Sequence, residues 1–546
     1  MSQGIALPQN AAAQQQDQRR RTLARRQVRY RYDHDYLAPL PVVRGLPFSE
    51  FFSPSYLLRQ GQGLTVMAAN LFVAKVWSLF DRFDKLQDFE DLFPLLPKPA
   101  SLGRYRDDAE FGRQRLAGVN PMVVHRIAAL PPTFPLSETR FQEVVGPGKT
   151  IQGEAQAGRL YLADYAILDG MPVGTFRGRQ KHLVAPLALF HWTQAGLMPV
   201  AIQLGQQPGP GRPIFTPRDG AAWFVAKTLV QVAETTHHEM VTHLGRTHLL
   251  IEPFILATAR QLAPTHPLAV LLKPHFRFTL AINKAAKYLL INKGGFVDRL
   301  FAGTLEGTLS IAGKSRPTNF YDLALPTELR SRGVDDAALL PEYPYRDDAL
   351  LIWEAVGAFV KEYLGLYYGT DGDVVNDYEL QQWFRELTDT LGGRLRGVTR
   401  SGQLQTRTEL ADLITQLVFT CGPQHAAVNF PQYDYIAFTP NMPAAVYSAP
   451  PTDAASVSAA DVLKVLPPRS QASGQLLIVR TLTAFRTERL GDYGSGSLGN
   501  PQAGPVIERF RVKLHDVESR INQRNQQRAH PYVYLKPSMI PNSTSI

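Results

Sequence analysis

Cysteine is nearly absent from this chain of 546 residues, which contains only Cys421. A single cysteine excludes an internal disulfide framework and is typical of a reducing compartment. Long uncharged apolar runs are also absent, and the first residues are polar and rich in glutamine, so neither a membrane-spanning helix nor a secretory signal is predicted. We therefore expect a soluble or peripherally membrane-bound cytoplasmic protein, whose 44% of hydrophobic residues can form a large core.

Acidic residues are scarce at the N terminus. Residues 1–31 contain Asp17 and seven arginines, so they carry six of the ten net positive charges of the chain. The arginines are Arg19, Arg20, Arg21, Arg25, Arg26, Arg29 and Arg31. Such a segment is a solvated disordered tail, or it is attracted to anionic lipid. No recognised nucleic-acid motif accompanies it, so we expect no nucleic-acid partner.

Two further segments precede the main body of the chain. Residues 39–60 are rich in proline and aromatic residues, which predicts a linker or a loosely packed arm. From Leu64 to Phe83 the apolar residues predict a helix with a broad apolar surface. This helix is either part of the core or an interfacial helix that dips into lipid. We therefore divide the chain into an N-terminal extension, residues 1–60, and a catalytic domain, residues 61–546, in which residues 61–99 hold the candidate membrane-facing helix.

The remaining sequence predicts a mainly α fold with a small antiparallel β subdomain. Short apolar runs at residues 160–162, 187–192 and 197–202 are separated by glycine and proline, as in antiparallel strands. Beyond Pro217 the periodicity is helical, for example at residues 350–367 and 410–419. The sequence has no internal repeat and no glycine-rich phosphate loop.

A histidine-dense helix lies within an apolar frame near the middle of the chain. His243 and His248 are five residues apart, so an ideal α-helix would place them roughly 140° apart around its axis. A turn with i→i+5 hydrogen bonds would bring both onto one face, and we therefore predict a π-bulge between them. Downstream, His425 and Asn429 are four residues apart and share one α-helical face. Buried histidines are more often hydrogen-bonded in a core than bound to metal, so spacing alone leaves both interpretations open.

A set of motifs, taken together, resembles the signature of the lipoxygenases. In chain order the motifs are Trp223-x-x-Ala226-Lys227, Thr242-His243-x-x-x-Thr247-His248-x-x-x-Glu252-Pro253-Phe254, His266-Pro267, Pro274-His275-Phe276-Arg277, Ile282-Asn283, His425-x-x-x-Asn429 and the terminal Ile546. The resemblance covers roughly residues 100–546 and is closest to a prokaryotic-type short form. A β-sandwich lipid-targeting domain, which precedes the catalytic domain in plant and animal members, has no room here.

The resemblance implies a metal centre with one non-haem iron per chain. The implied ligands, which would also be the catalytic residues, are His243, His248, His425, Asn429 and the terminal carboxylate of Ile546. Nitrogen and oxygen ligands without a thiolate suit a redox-active first-row ion, and manganese is the alternative to iron. Glu239 and Gln432 would orient these ligands, although plant enzymes have glutamine at the position of Glu239.

The resemblance also implies a substrate and a reaction. In lipoxygenases, hydrogen leaves the methylene between two cis double bonds of a polyunsaturated fatty acid, and the pentadienyl radical captures O2 to give a hydroperoxide. The residues that match the fatty-acid channel are Leu244, Leu249, Ile282, Lys284, Ala286, Leu290, Val297 and Leu482. Among these, Val297 lies on the implied oxygen-access side and Lys284 at the channel mouth, while the plant carboxylate-binding arginine aligns with Met442.

Two other functions remain as alternatives. A metalloenzyme that rearranges hydroperoxides would keep the metal ligands, whereas a non-catalytic lipid-binding relative would keep only the channel. The complete ligand set argues against the second alternative. We expect the protein to be a monomer that acts on linoleate-like or linolenate-like acids and O2, and to associate peripherally with anionic membranes.

Overall fold

The computed structural model describes residues 4–77, 83–494 and 498–546, and most of this chain is helical. The α-helices in chain order are α1 (Ala13–Arg29), α2 (Pro54–Trp77), α3 (Asp108–Ala117), α4 (Glu138–Val145), α5 (Ile151–Gln156), α6 (Gly220–His237), α7 (Glu252–Gln261), α8 (Pro267–Leu272), α9 (Thr279–Leu289), α10 (Phe296–Leu300), α11 (Leu305–Lys314), α12 (Leu325–Ser331), α13 (Pro344–Gly365), α14 (Asp371–Asn376), α15 (Tyr378–Thr388), α16 (Arg407–Phe419), α17 (His425–Asn429), α18 (Gln432–Ile436), α19 (Ala459–Val465), α20 (Arg469–Leu482) and α21 (Ala503–Gln527). Two π-helices, π1 (His238–Leu249) and π2 (Thr420–Gln424), also lie within the described residues.

The strands form small antiparallel sheets. They are β1 (Tyr32–Asp33), β2 (Val42–Val43), β3 (Val124–Arg126), β4 (Leu160–Asp164), β5 (Thr175–Phe176), β6 (Arg179–Gln180), β7 (Leu187–Thr193), β8 (Gly196–Gln203) and β9 (Ile214–Phe215). In the part of the chain that the structure describes, the main sheet has the order β3-β4-β7-β8-β9. Helix α3 packs so closely on β8 that a Cβ atom at Gly112 would lie 1.6 Å from the carbonyl oxygen of Leu197, so only glycine fits there. The predicted mainly α fold with a small antiparallel β subdomain is confirmed.

Helices α6, π1 and α7 run consecutively through the centre of the molecule. Helix α6 is buried on nearly all sides, as expected for a sequence that is apolar around the whole helix. Helices α11, α17 and α9 pack directly against π1, while α13 packs against α16 and α21. The core therefore holds the histidine-dense segment fixed from several directions.

The arginine-rich N terminus is a packed helix, so the disordered-tail interpretation is wrong for residues 13–29. Helix α1 lies against α7. Arg19 forms a buried two-pronged ion pair with Glu379, at 2.7 Å from Nε to Oε1 and 2.9 Å from Nη2 to Oε2. The loosely packed arm is also wrong for β2, because Val42 and Val43 are buried and pair with β1. These long-range contacts stabilise a segment whose local composition resembles a linker.

Helix α2 begins ten residues before the predicted Leu64, at Pro54, because proline is well suited to the first turn of a helix. The structure describes it as far as Trp77, so the predicted residues Leu79 and Phe80 lie outside the described residues. The predicted domain boundary at residue 60 falls within this helix and stays a prediction. None of the described helices is long and apolar enough to span a membrane.

One face of α2 is buried and the other is apolar and exposed. Tyr56, Met67, Asn70 and Ala74 are buried against the body of the protein. On the outer side, five large apolar side chains are exposed, and two more lie in the turn that precedes the helix. We call these residues the apolar face: Phe48, Phe51, Leu57, Leu58, Leu64, Val66 and Phe72.

Candidate metal centre

The π-helix π1 brings His243 and His248 onto one side of the helix. Their Nε2 atoms are 3.3 Å apart. The predicted π-bulge is confirmed, and it is longer than one turn, because the π conformation extends from His238 to Leu249. Since i→i+5 hydrogen bonding widens the turn, two residues five apart can face one point.

The second π-helix, π2, positions His425 at the start of α17. Pro423 lies inside π2 and has no backbone N–H, so it cannot take part in regular α-helical hydrogen bonding. Gly422 lets the end of the chain pass, because a Cβ atom there would lie 2.8 Å from the carbonyl oxygen of Pro541. We did not predict π2 from the sequence, although Gly422 and Pro423 provide the signal.

Three buried imidazoles meet at this point. The ring nitrogens offered by His243, His248 and His425 all lie within 4.8 Å of one another. Burial lowers the pKa of His243 and of His248 to about 3, and it lowers the pKa of His425 well below its ordinary value. The imidazoles are therefore neutral at pH 7, which is the state that donates a lone pair to a metal.

His425 tests whether the cluster fits a metal. It is completely buried, and neither ring nitrogen forms a hydrogen bond of good geometry with the described residues, although the backbone of Ile546 lies nearby. An unpartnered buried polar atom is costly, and a metal ion would satisfy it. The cluster therefore fits a bound cation better than it fits an ordinary core.

The end of the chain is buried beside this cluster. Residues 540–546 are all buried, and the backbone of Ile546 lies close enough to partly offset the lowered pKa of His425. The Asn542 carbonyl accepts a hydrogen bond from His275 Nδ1 at 2.9 Å, and the Thr544 hydroxyl donates to the Cys421 carbonyl at 3.1 Å. A terminal carboxylate buried in this way needs a compensating cation.

Residues around the imidazoles form the contacts expected of orienting groups. His243 Nδ1 donates to the Glu239 carboxylate at 3.0 Å, which leaves Nε2 free. The Asn429 carboxamide donates to the Leu482 carbonyl and accepts from Gln432 Nε2, both at 2.9 Å. The predicted orienting residues Glu239 and Gln432 thus lie where the prediction requires, while the ligand and orienting roles themselves stay predictions.

Sequence reasoning missed the partners of His248. Its Nδ1 atom lies 2.9 Å from Asn283 Oδ1, and Asn283 in turn donates to the buried Glu252. Burial raises the pKa of Glu252 to about 7, although the Val43 N–H and the Asn283 amide stabilise the carboxylate. Asn283 and Glu252 both belong to the motifs quoted above, which was the available signal.

His238 is another candidate metal ligand, but its contacts differ from those of His425. It forms a group with Glu239 and His243 that could hold a metal. Its Nε2 atom, however, donates to the carbonyl of Val428 at 2.8 Å, as in an ordinary core histidine. The cluster that contains His425 is therefore the better candidate for a metal site.

Six of the eight predicted channel residues line two separate cavities. An apolar cavity is lined by Leu290, Val297 and Leu482 and reaches Glu239 and Gln432 beside the imidazoles. Its volume is about 50 Å³. Ligand pockets typically measure roughly 300–1,000 Å³, so a fatty acid enters only when lining side chains move apart.

A second cavity contains three more of the predicted residues. It is lined by Leu244, Leu249 and Lys284, together with Val42 and Val43 of the N-terminal segment. The Lys284 ammonium donates to the carbonyl of Arg44 at 2.9 Å.

The last three predicted positions differ from these. Ile282 and Ala286 are half-buried on α9 and line neither cavity. Met442, at the position of the plant arginine, is buried in the core and offers no charge.

Comparisons with known proteins agree with this geometry. A sequence model of the family described as Lipoxygenase matches residues 97–532. The chain is 40% identical over 491 residues to a linoleate 9/13-lipoxygenase of Pseudomonas aeruginosa, an alignment that covers 85% of this chain and 70% of that protein. It is 36% identical over 489 residues to the hydroperoxide isomerase ALOXE3 of Mus musculus, covering 87% of this chain and 68% of that protein.

The fold is similar to that of solved lipoxygenase structures. An anaerobic crystal structure of the delta413-417:GS LOX in complex with arachidonate superposes with a TM-score of 0.94 and 33% identity, covering 100% of this chain and 83% of that one. The match of the family model to most of the chain agrees with the site geometry. This chain therefore belongs to the lipoxygenase family and is an oxidoreductase of the dioxygenase class.

Proposed function

We propose that the protein is a non-haem iron dioxygenase that converts polyunsaturated fatty acids of the linoleate and linolenate class into hydroperoxides, starting with hydrogen abstraction from a bis-allylic methylene. One observation carries the proposal: three buried, neutral imidazoles meet beside a buried chain end and an apolar cavity. Such a site can hold a redox metal away from water and bring an acyl chain to it.

The ion would be held by His243, His248, His425, Asn429 and the terminal carboxylate of Ile546. This set combines nitrogen and oxygen ligands, which suits iron first and manganese second. When bound, the ion supplies one-electron redox chemistry. Glu239 and Gln432 keep His243 and Asn429 in fixed orientations, so that their lone pairs point to the metal.

The apolar cavity would hold the pentadiene of the substrate. Its walls are almost entirely hydrocarbon, so water is excluded and the radical is protected from side reactions. Leu290 and Ala286 would shield some carbons of the radical from O2, and Val297 would lie on the side from which O2 arrives. These side chains thereby select the carbon that is oxygenated.

Oxygen consumption by the purified protein with linoleate tests the proposal. We expect conjugated-diene absorbance to rise in step with oxygen uptake, and elemental analysis to find about one iron per chain. His425→Ala should lose both metal and turnover. His515→Ala is the matched control, since His515 is exposed on α21, and it should leave both unchanged.

The same experiment decides between the alternatives. A hydroperoxide-rearranging enzyme would bind metal and transform added hydroperoxide without consuming oxygen. The mouse relative is named a hydroperoxide isomerase. A non-catalytic lipid-binding protein would bind linoleate with neither metal nor turnover. Either result would contradict the proposed dioxygenase.

We also propose that the protein is a cytoplasmic monomer and that it meets its substrate at the surface of anionic membranes. The apolar face offers side chains that can enter lipid, with Phe48 at 87% and Phe72 at 69% exposure. Helix α1 exposes Arg20, Arg21, Arg25 and Arg29, which attract anionic headgroups. Apolar insertion and electrostatic attraction are each weak alone and stronger together.

A further inference from the structure

A chain of buried hydrogen bonds links His248 to the N-terminal segment. His248 Nδ1 lies 2.9 Å from Asn283 Oδ1, and Asn283 Nδ2 donates to Glu252 Oε2 at 2.7 Å. The other carboxylate oxygen, Glu252 Oε1, accepts from the backbone N–H of Val43 at 2.5 Å. Glu252 and Val43 are almost completely buried, and Asn283 is 8% exposed, so water scarcely competes for these bonds.

The chemistry of the groups fixes the direction of every bond. In its ionised form the Glu252 carboxylate only accepts, so it takes one hydrogen from the backbone N–H of Val43 and one from the Asn283 amide. The amide must then turn its NH2 toward Glu252 and its oxygen toward His248. That oxygen can only accept, so His248 carries its hydrogen on Nδ1 and keeps the lone pair on Nε2. This Nε2 atom is the one that lies 3.3 Å from Nε2 of His243.

We propose that Glu252 and Asn283 are positioning residues that fix the tautomer and ring orientation of His248, and that the backbone of Val43 anchors them. This inference rests on the proposed metal centre, toward which the free Nε2 atom points. The segment around β2 then belongs to the metal site through its backbone. Its anchoring group is the N–H of Val43, and no side chain of the segment is involved.

The segment is held in place for this task. Val43 pairs with Tyr32, and the Lys284 ammonium holds the carbonyl of Arg44, the next residue. The anchoring N–H therefore lies on a short strand that is fixed on both sides. Two side chains, Glu252 and Asn283, separate it from His248, and both are held by hydrogen bonds at their polar ends.

The exchange of the two polar side chains tests the proposal. Glu252→Gln keeps the shape but replaces one acceptor with an NH2 donor, which then faces either Val43 N–H or the Asn283 amide. If Asn283 turns to relieve this conflict, it presents its own NH2 to His248 Nδ1. The histidine must then hold its hydrogen on Nε2, where a metal needs the lone pair.

The double variant Glu252→Gln with Asn283→Asp restores every bond. The introduced glutamine side chain would accept from the Val43 N–H and donate to the introduced carboxylate, which also accepts from His248 Nδ1. The number of carboxylates in this chain of hydrogen bonds stays at one. If Glu252 and Asn283 were merely structural, the substitutions would change the stability of the fold. If they position His248, the substitutions change the metal affinity of folded protein.

Iron affinity, measured by competition with a chelator, is the main readout, together with the ferric electron paramagnetic resonance signal and the thermal unfolding of the metal-free proteins. We expect Glu252→Gln to lose roughly 10–100-fold in iron affinity, as for other partners of metal ligands. The double variant should recover to within a few-fold of the parent, with the parental ferric signal. If Glu252→Gln does not fold, the double variant alone decides.

Two results would overturn the proposal. One is a folded Glu252→Gln protein with parental iron affinity and ferric signal. The other is a folded double variant whose affinity stays far below that of the parent. Parental protein that binds neither iron nor manganese would instead contradict the proposed function, so the two failures are distinguishable.

Discussion

The hydroxyl of Tyr56 donates a hydrogen bond of 2.6 Å to the carbonyl of Ser545, the residue before the chain end. Burial raises the pKa of Tyr56 to about 12, so the hydroxyl remains a donor. Its ring stacks on Phe52 and also contacts Phe278 and Phe485. Helix α2, which carries the apolar face outside, thus holds the chain end inside.

We expect Tyr56→Phe to loosen the chain end, because the Ser545 carbonyl would lose its partner at a cost of about 1–3 kcal/mol. Iron should then be lost more readily during dialysis against a chelator, as measured by elemental analysis. Tyr288→Phe, at an exposed tyrosine, is the control and should retain iron like the parent. Equal retention by both variants would show that Tyr56 does not hold the terminal carboxylate in place.

Metal binding should depend on the last residue. A terminal carboxylate can be offered only by the final residue, and the end of this chain is enclosed, with Ile546 at 2% exposure. Deletion of Ile546, or addition of one residue after it, should deplete the metal and abolish turnover. Elemental analysis and oxygen uptake check this, and the assignment is wrong if both survive the added residue.

The position of oxygenation should depend on Ala286 and Leu290. The radical extends over five carbons, and Leu290 lines the apolar cavity while Ala286 lies one helical turn before it. In this family, alanine at the position of Ala286 usually accompanies S products, so we expect S hydroperoxides from the parent. Ala286→Gly and Leu290→Ala should alter the enantiomer or regioisomer ratio on chiral chromatography. An unchanged profile would remove both residues from this role.

Membrane binding should be independent of calcium and sensitive to salt. Co-sedimentation with anionic vesicles should fall when Leu58 and Phe72 are both changed to glutamate, since burial of each such side chain contributes about 1.5–3 kcal/mol. Val512→Glu, at an exposed valine of α21, is the control. Replacement of Arg20, Arg21, Arg25 and Arg29 by glutamine should remove most of the salt dependence, because the electrostatic range shrinks from ~10 Å at 0.1 M to ~3 Å at 1 M salt.

Point substitutions are needed here, because a truncation near Leu37 would also remove β1 and the packed helix α1. Vesicle binding by the glutamate variant at the parental level would show that the apolar face does not enter lipid. In that event the apolar face could instead pair two copies of the chain. Light scattering tests this alternative, because paired copies would appear as a dimer.

Helix α1 should contribute to the stability of the whole domain. Arg19→Ala would leave the Glu379 carboxylate buried without its partner, which typically costs about 3–5 kcal/mol. A clear decrease in the temperature of thermal unfolding should follow. Arg20→Ala is the control, because Arg20 is exposed and its ion pair with Asp17 lies on the surface, where it contributes little. A parental unfolding temperature for Arg19→Ala would show that α1 is not integral to the fold.

The sequence by itself determined the mainly helical class, the local geometry around the histidines and, through the family resemblance, the candidate ligands. The five-residue spacing of His243 and His248 cannot converge on an α-helix, so a shared site requires a π-helix, and the structure contains it. The four-residue spacing of His425 and Asn429 similarly requires one α-helical face. Such predictions succeed because helical periodicity is local and depends only on residues within one or two turns.

The tertiary structure alone decided how these elements are supported. Val43 and Glu252 are 209 residues apart, and Tyr56 and Ser545 are 489 residues apart, so no periodic pattern relates them. The packing of α1, the exposure of one face of α2 and the division of the channel residues between two cavities depend equally on distant segments. Burial of a linker-like segment, or of a charged arginine such as Arg19, is favourable only when a partner from elsewhere in the chain supplies the hydrogen bonds that water would otherwise provide.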